Sequence, residues 1–86
     1  MNKLFTDEAW KDYLYWYEHD RRQLKRIHEL IREINRSPFE GIGKPEPLKY
    51  DLKGYWSRRI DQEHRIVYKV DDKSIYFISM RFHYEK

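Results

Sequence analysis

The stretch over residues 37–48, "SPFEGIGKPEPL", holds all three prolines and two of the three glycines of this 86-residue chain. Proline fixes φ and removes a backbone donor, so neither a helix nor a central strand runs through such a segment. The stretch predicts a loop, stiffened by the prolines on both sides of Glu46. It also divides the chain into two parts with different hydrophobic periods. Before it, Trp10, Tyr13, Leu14 and Tyr17 fall at i, i+3, i+4 and i+7, and Leu24, Ile27, Ile31 and Ile34 form a second helical stripe to about Arg36. Both stripes are expected in the core. Thr6, followed by Asp7 and Glu8, reads as the first N-cap, and Asp20 with Gln23 as the second. Beyond the loop the period becomes alternating. Residues 54–60, 64–70 and 74–82 read as three strands, joined at Asp61-Gln62-Glu63 and Asp71-Asp72-Lys73 by hairpins. Lys3-Leu4-Phe5 adds a short N-terminal strand. The expected fold is α+β: a strand, two helices, a loop, then an antiparallel meander with the helices on one face. A single domain over residues 1–86 is expected.

Composition narrows the function classes. Without cysteine the chain has neither disulfides nor a thiolate zinc site. The residues are 17% aromatic, which supplies core area to a small domain and also rings able to stack on bases. No apolar run approaches the ~20 residues of a membrane span, and the start "MNKLFTDEAW" has no signal-peptide core. A cytoplasmic protein without membrane contact is expected. The net charge is +3, with eight Lys or Arg against eight Asp or Glu up to Gly43 and ten against seven beyond it. The excess in the second half points to a polyanion, although ordinary solubility charge accounts for it equally well.

Alternation on the second meander strand puts His64, Ile66, Tyr68 and Val70 on one face, the expected core face. It puts Arg65, Val67 and Lys69 on the other. Pairing Ile60 with His64 places Arg59 opposite Arg65. Like charges directly opposed are destabilising, which suggests an anion between them; two solvated arginines pointing apart is the competing reading. The closing "RFHYEK" brings a histidine and a tyrosine to the rim of the sheet. A three-residue turn puts Arg81 and His83 on the Arg65 face, whereas a two-residue turn puts Tyr84 there. A histidine beside arginines is a candidate acid or base near neutral pH. Glu46 is a candidate carboxylate partner, with a plain surface glutamate as its alternative. Carboxylate, arginine and histidine suffice for metal-free RNA transesterification. His19 and His28 lack such a context and read as structural or solvated. No metal-ligand spacing is present.

"DYLYW", "SPFEGIGKPEPLKYDLKGYWSRRIDQEHRIVY" and "RFHY" resemble the YoeB/Txe toxins of the RelE/ParE superfamily, from about Leu4 to Tyr84. The resemblance implies a microbial-ribonuclease-like RelE toxin fold. It implies a ribosome-dependent endoribonuclease, with no cofactor, that cuts mRNA in the ribosomal A site and so inhibits translation. Carried over by motif, Glu46 of "KPEPLK" resembles the general base and Arg65 of "EHRIVY" the phosphate-stabilising arginine. His83 resembles the general acid, and Tyr84 a residue placing the phosphate or the neighbouring base. The first or second arginine of "WSRRI", Arg58 or Arg59, is an implied phosphate contact, with Arg59 preferred for its expected face, and Lys49 of "PLKY" is a further one. The implied partners are a YefM/Axe-type antitoxin, the ribosome with its mRNA, and a second copy of the chain. Glu85 and Lys86 follow the His-Tyr pair at which the family pattern commonly stops. Two other functions fit the sequence less well. A ParE-like gyrase poison has no need of a Glu/His pair, and a non-catalytic RNA- or ribosome-binding module leaves Glu46 unexplained.

Overall fold

The computed structural model describes residues 1–82, so the expectations for His83 and Tyr84 lie outside the described residues. The elements are β1 (Asn2–Phe5), α1 (Asp7–His19), α2 (Arg21–Arg36), β2 (Glu46–Pro47), a 3-10 turn (Tyr50–Leu52), β3 (Trp56–Arg59), β4 (Arg65–Val70) and β5 (Ser74–Ser79). They form one sheet in the order β1-β5-β4-β3-β2. The sheet is mostly antiparallel, and β1 joins β5 in parallel.

Local chemistry sets the helix ends. Thr6 Oγ1 accepts from the Ala9 N–H at 3.0 Å and donates to the Ile78 carbonyl at 2.8 Å, so the cap of α1 is also tied to the sheet. Such a cap is worth about 1 kcal/mol. Asp20 serves both helices. Its own N–H closes α1 on the Trp16 carbonyl, and its carboxylate opens α2 by accepting from Arg22 and Gln23. The second stripe is buried as expected, with Leu30 added to it. Leu24, Ile27, Leu30, Ile31 and Ile34 cluster with Ile60 and with Ile66, Tyr68, Ile75 and Phe77 of the sheet.

The first stripe is corrected in part. Trp10 is 50% and Tyr17 47% exposed, and Leu14 also faces outward, while Tyr13 is half-buried against the core. The buried positions of α1 are Ala9, Asp12 and Trp16. Polar bonds fix this rotation: the Met80 N–H donates to Asp12 Oδ2 at 2.9 Å, and Trp16 Nε1 donates to the Met80 carbonyl at 2.8 Å. A count of apolar positions scores a buried aspartate as solvent-facing and so turns the helix the wrong way.

Two further corrections concern the sheet. Glu46 does not lie in a plain loop, because Glu46 and Pro47 pair with Ser57 and Trp56 as an edge strand, where proline is tolerated. The last strand stops at Ser79 instead of reaching Phe82. Its hairpin is tight, with the Asp71 N–H on the Ser74 carbonyl. A register shift follows between the pairs Tyr68↔Phe77 and Val67↔Ser79, leaving Ile78 as the extra residue of a bulge. The strand ends before Arg81, so neither expected alternation extends to it. Its guanidinium lies 3.4 Å from the ring centre of Tyr15 in α1.

Candidate active site

Pairing brings three expected positions, Glu46, Arg59 and Arg65, onto adjacent rows of the sheet. Glu46 pairs with Ser57, Ser57 with Val67, and Val67 with Ser79. Paired residues share a face, so these form one row across the sheet. The next row holds Arg59 opposite Arg65, the register expected from the sequence. Arg65 is two strand spacings of about 4.8 Å and two residues along the strand from the position level with Glu46. The helices cover the opposite face, where Arg58, Ile60, Ile66 and Tyr68 are buried. The arginine-bearing face is less open than expected, since Ser57, Arg65 and Val67 are themselves buried and only Lys69 of that β4 set is exposed.

Arg65 is held by its own turn. Its Nη1 donates to the carbonyls of Asp61, Gln62 and His64 at 2.9, 3.2 and 3.1 Å. Among the described residues, these are its only side-chain hydrogen bonds, and all leave from one nitrogen. Burial holds the guanidinium below its ordinary pKa, and the Arg59 charge pushes the same way; the Asp61 and Glu46 charges oppose them. The turn is built by Asp61, whose carboxylate accepts from the Glu63 and His64 N–H groups and from Gln23 Nε2. Burial raises the Asp61 pKa, but these hydrogen bonds outweigh it and leave the group below its ordinary value.

Among the described residues, Glu46, Lys49, Arg59 and Arg65 have no ion pair within 4.0 Å. Lys49 is exposed at the start of the 3-10 turn and is not brought into either row. Among the described residues, no group of three or more His, Asp or Glu side chains could hold a metal ion.

The neighbour of Arg59 has a different role. Arg58 is fully buried, and its Nε donates to the Tyr68 hydroxyl at 3.1 Å. Its terminal nitrogens reach the carbonyls of Ile42, Ser37 and Glu40 at 3.1, 2.6 and 2.8 Å. Tyr68 in turn donates to the Pro38 carbonyl at 2.7 Å. This pair fixes the proline-rich loop leading to Glu46. Gly43, at φ +83°, completes the approach, because a Cβ there would lie 2.8 Å from Leu30 and 3.2 Å from the Arg59 carbonyl. Arg58 was missed as a site-building residue, yet its register with Ile66 on the core face marks it. His64 was read only as a core-face residue. Its ring packs edge-on against Trp16 at 4.9 Å, and its Nδ1 accepts from the Phe82 N–H at 2.7 Å.

Comparison with known proteins matches residues 5–84 to the family described as "YoeB-like toxin of bacterial type II toxin-antitoxin system". Toxin YoeB of Escherichia coli K12 is 55% identical over 84 residues, covering 98% of this chain and all of that protein. A YoeB/ParE toxin structure from Agrobacterium tumefaciens superimposes with a TM-score of 0.95 at 49% identity, covering 98% of this chain and 100% of that one. A YoeB dimer from Staphylococcus aureus gives 0.92 at 48% identity. A heterotetrameric YoeB-YefM toxin-antitoxin complex from the same organism gives 0.90 at 48%. Both cover 98% of each chain.

Proposed function

The chain belongs to the YoeB-like toxins of bacterial type II toxin-antitoxin systems, and from that premise we propose that it is a metal-free endoribonuclease that cuts mRNA in the ribosomal A site. The observation that carries this reading is the placement of Glu46 one row from the opposed Arg59/Arg65 pair, with no ion pair among the described residues. A carboxylate beside a phosphate-binding pair would only weaken a plain RNA-binding surface. It has a use where a proton must be removed.

In the proposed reaction Glu46 takes the proton of the ribose 2′-OH, and the 2′-oxygen attacks the adjacent phosphorus. Arg65, with Arg59 beside it, stabilises the charge of the pentacoordinate phosphorane, and Lys49 adds a phosphate contact. His83 donates a proton to the 5′-oxygen as the P–O5′ bond breaks, while Tyr84 places the phosphate or the neighbouring base. The fixed Nη1 of Arg65 supports this role, since a preorganised guanidinium loses little freedom when it meets phosphate. We further propose a YefM/Axe-type antitoxin and a second copy of the chain as partners, supported by the complex and dimer of the S. aureus relative. A cytoplasmic location follows from a ribosomal substrate, and among the described residues no helix is long and apolar enough to cross a membrane.

Programmed ribosomes with end-labelled mRNA test the reading. Cleavage in the A-site codon should leave a 5′-hydroxyl and a 2′,3′-cyclic or 3′-phosphate. Products with 5′-phosphate ends would overturn it, as would translation arrest with intact mRNA.

A further inference from the structure

Beyond Ser79 the chain leaves the sheet, and side chains replace the lost ladder. The Met80 N–H and carbonyl are taken by Asp12 and Trp16 of α1. Burial raises the Asp12 pKa, and the bond from the Met80 N–H only partly offsets this. The Phe82 N–H is taken by His64 Nδ1 at 2.7 Å, and the Phe82 carbonyl accepts from the Arg65 N–H at 3.1 Å. Phe82 has a φ of +66°, in the left-handed region that a residue with a bulky side chain rarely adopts, so outside contacts must hold it there. Two adjacent residues, His64 and Arg65, thus grip both polar groups of one residue. That residue is joined by its next peptide bond to His83.

We infer that His64 is a positioning residue for the cleavage reaction: with Arg65 it fixes the backbone of Phe82, the residue that precedes the proposed proton donor in the chain. The inference rests on the reading of His83 as the proton donor. The geometry fixes the chemistry of the ring. Because Nδ1 accepts from a backbone N–H, the ring proton sits on Nε2, which faces the Glu63 carboxylate at 3.7 Å. The ring therefore acts here as an acceptor and a spacer. Its edge contact with Trp16, whose indole holds Met80, links the two grips into one clamp.

A plain role in preventing the chain end from fraying predicts a loss of stability alone. Positioning predicts more, because a misplacement of about 1 Å costs up to roughly 100-fold in rate. The test compares His64→Leu with His64→Asn. Both lose the imidazole contact with Trp16, but asparagine Oδ1 restores an acceptor near the position of Nδ1. The substrate is mRNA on programmed ribosomes under single-turnover conditions, with thermal unfolding and amide exchange at Phe82 measured in parallel. His64→Leu should lose roughly 10- to 100-fold in the saturated rate with KM little changed, and its Phe82 amide should exchange freely. His64→Asn should recover most of the rate and the protection at a similar melting temperature. A double variant His64→Leu/His83→Gln should be no slower than His83→Gln, because both changes act through one group. Equal rates or equal Phe82 exchange for Leu and Asn would overturn the inference, as would multiplicative losses in the double variant. A fully active His83→Gln would instead remove the proposed proton donor, while Phe82 exchange would still report whether the clamp exists.

Discussion

Arg58 and Arg59 are adjacent in sequence and opposite in situation. Arg58 is buried beneath the helices with four hydrogen bonds, three of them to loop carbonyls. Arg59 is half-buried on the other face, opposite a like charge, and among the described residues its side chain has neither an ion pair nor a hydrogen bond. A buried cation with every guanidinium nitrogen engaged belongs to the fold. A cation held against its own kind costs stability, which fits the proposed role of Arg59 in meeting a phosphate. The two faces of β3 therefore divide the work. One builds the loop that carries Glu46, and the other carries the charge that we propose for phosphate binding.

The largest expected effect tests the reactive face. Glu46→Gln keeps size and hydrogen-bonding capacity but removes the proposed base, so single-turnover cleavage should fall about 10²–10⁴-fold. Glu46 is exposed on an edge strand, so unfolding should stay within about 0.5 kcal/mol of the parent. Near-parental cleavage would remove Glu46 from the chemistry and turn this face into a binding surface.

The buried face should behave in the reverse sense. Arg58→Ala leaves the carbonyls of Ser37, Glu40 and Ile42 without their donor and opens a space beside Tyr68. The expected loss is about 3 kcal/mol, read by urea unfolding. Arg58→Lys should recover little of it, since an ammonium cannot reproduce the guanidinium fork. Cleavage should fall only as far as the folded fraction does. A stable Arg58→Ala protein with a large rate defect would erase the contrast between the neighbours.

How much of this division was legible in the sequence follows from the range of the forces involved. The caps at Thr6 and Asp20, the α2 stripe and the Arg59–Arg65 register depend on residues close in the chain, and a short-range pattern records them. The rotation of α1 depends on Asp12 meeting Met80, which lies 68 positions away. The end of β5 depends on a bulge at Ile78 that alternation does not record. Glu46 was recognised as a candidate, but its strand was not, because two residues carry no period. The clamp on Phe82 combines a core-facing histidine with a strand end, and neither is marked in the sequence as part of a site. Local propensity thus located the charged row, while long-range polar bonds determined what surrounds it.

The smallest effect is also the most direct measure of stored repulsion. Directly opposed like charges on a sheet cost a few tenths to about 1 kcal/mol. Arg59→Gln removes one charge of the pair and keeps most of the side-chain length. Stability at low salt should therefore rise by that amount, which is unusual for a substitution at a half-buried position. The gain should shrink as salt is raised, because Arg59 is partly exposed and the Debye length falls from about 30 Å at 0.01 M to about 3 Å at 1 M. Binding should move the opposite way. Loss of one phosphate contact should weaken RNA association and reduce its salt slope by about one. Urea unfolding across a salt series reads the first effect, and RNA binding across the same series reads the second. If Arg59→Gln were less stable than the parent at every salt concentration, the two arginines would not be in conflict. Arg59 would then belong with Arg58 among the residues that serve the fold.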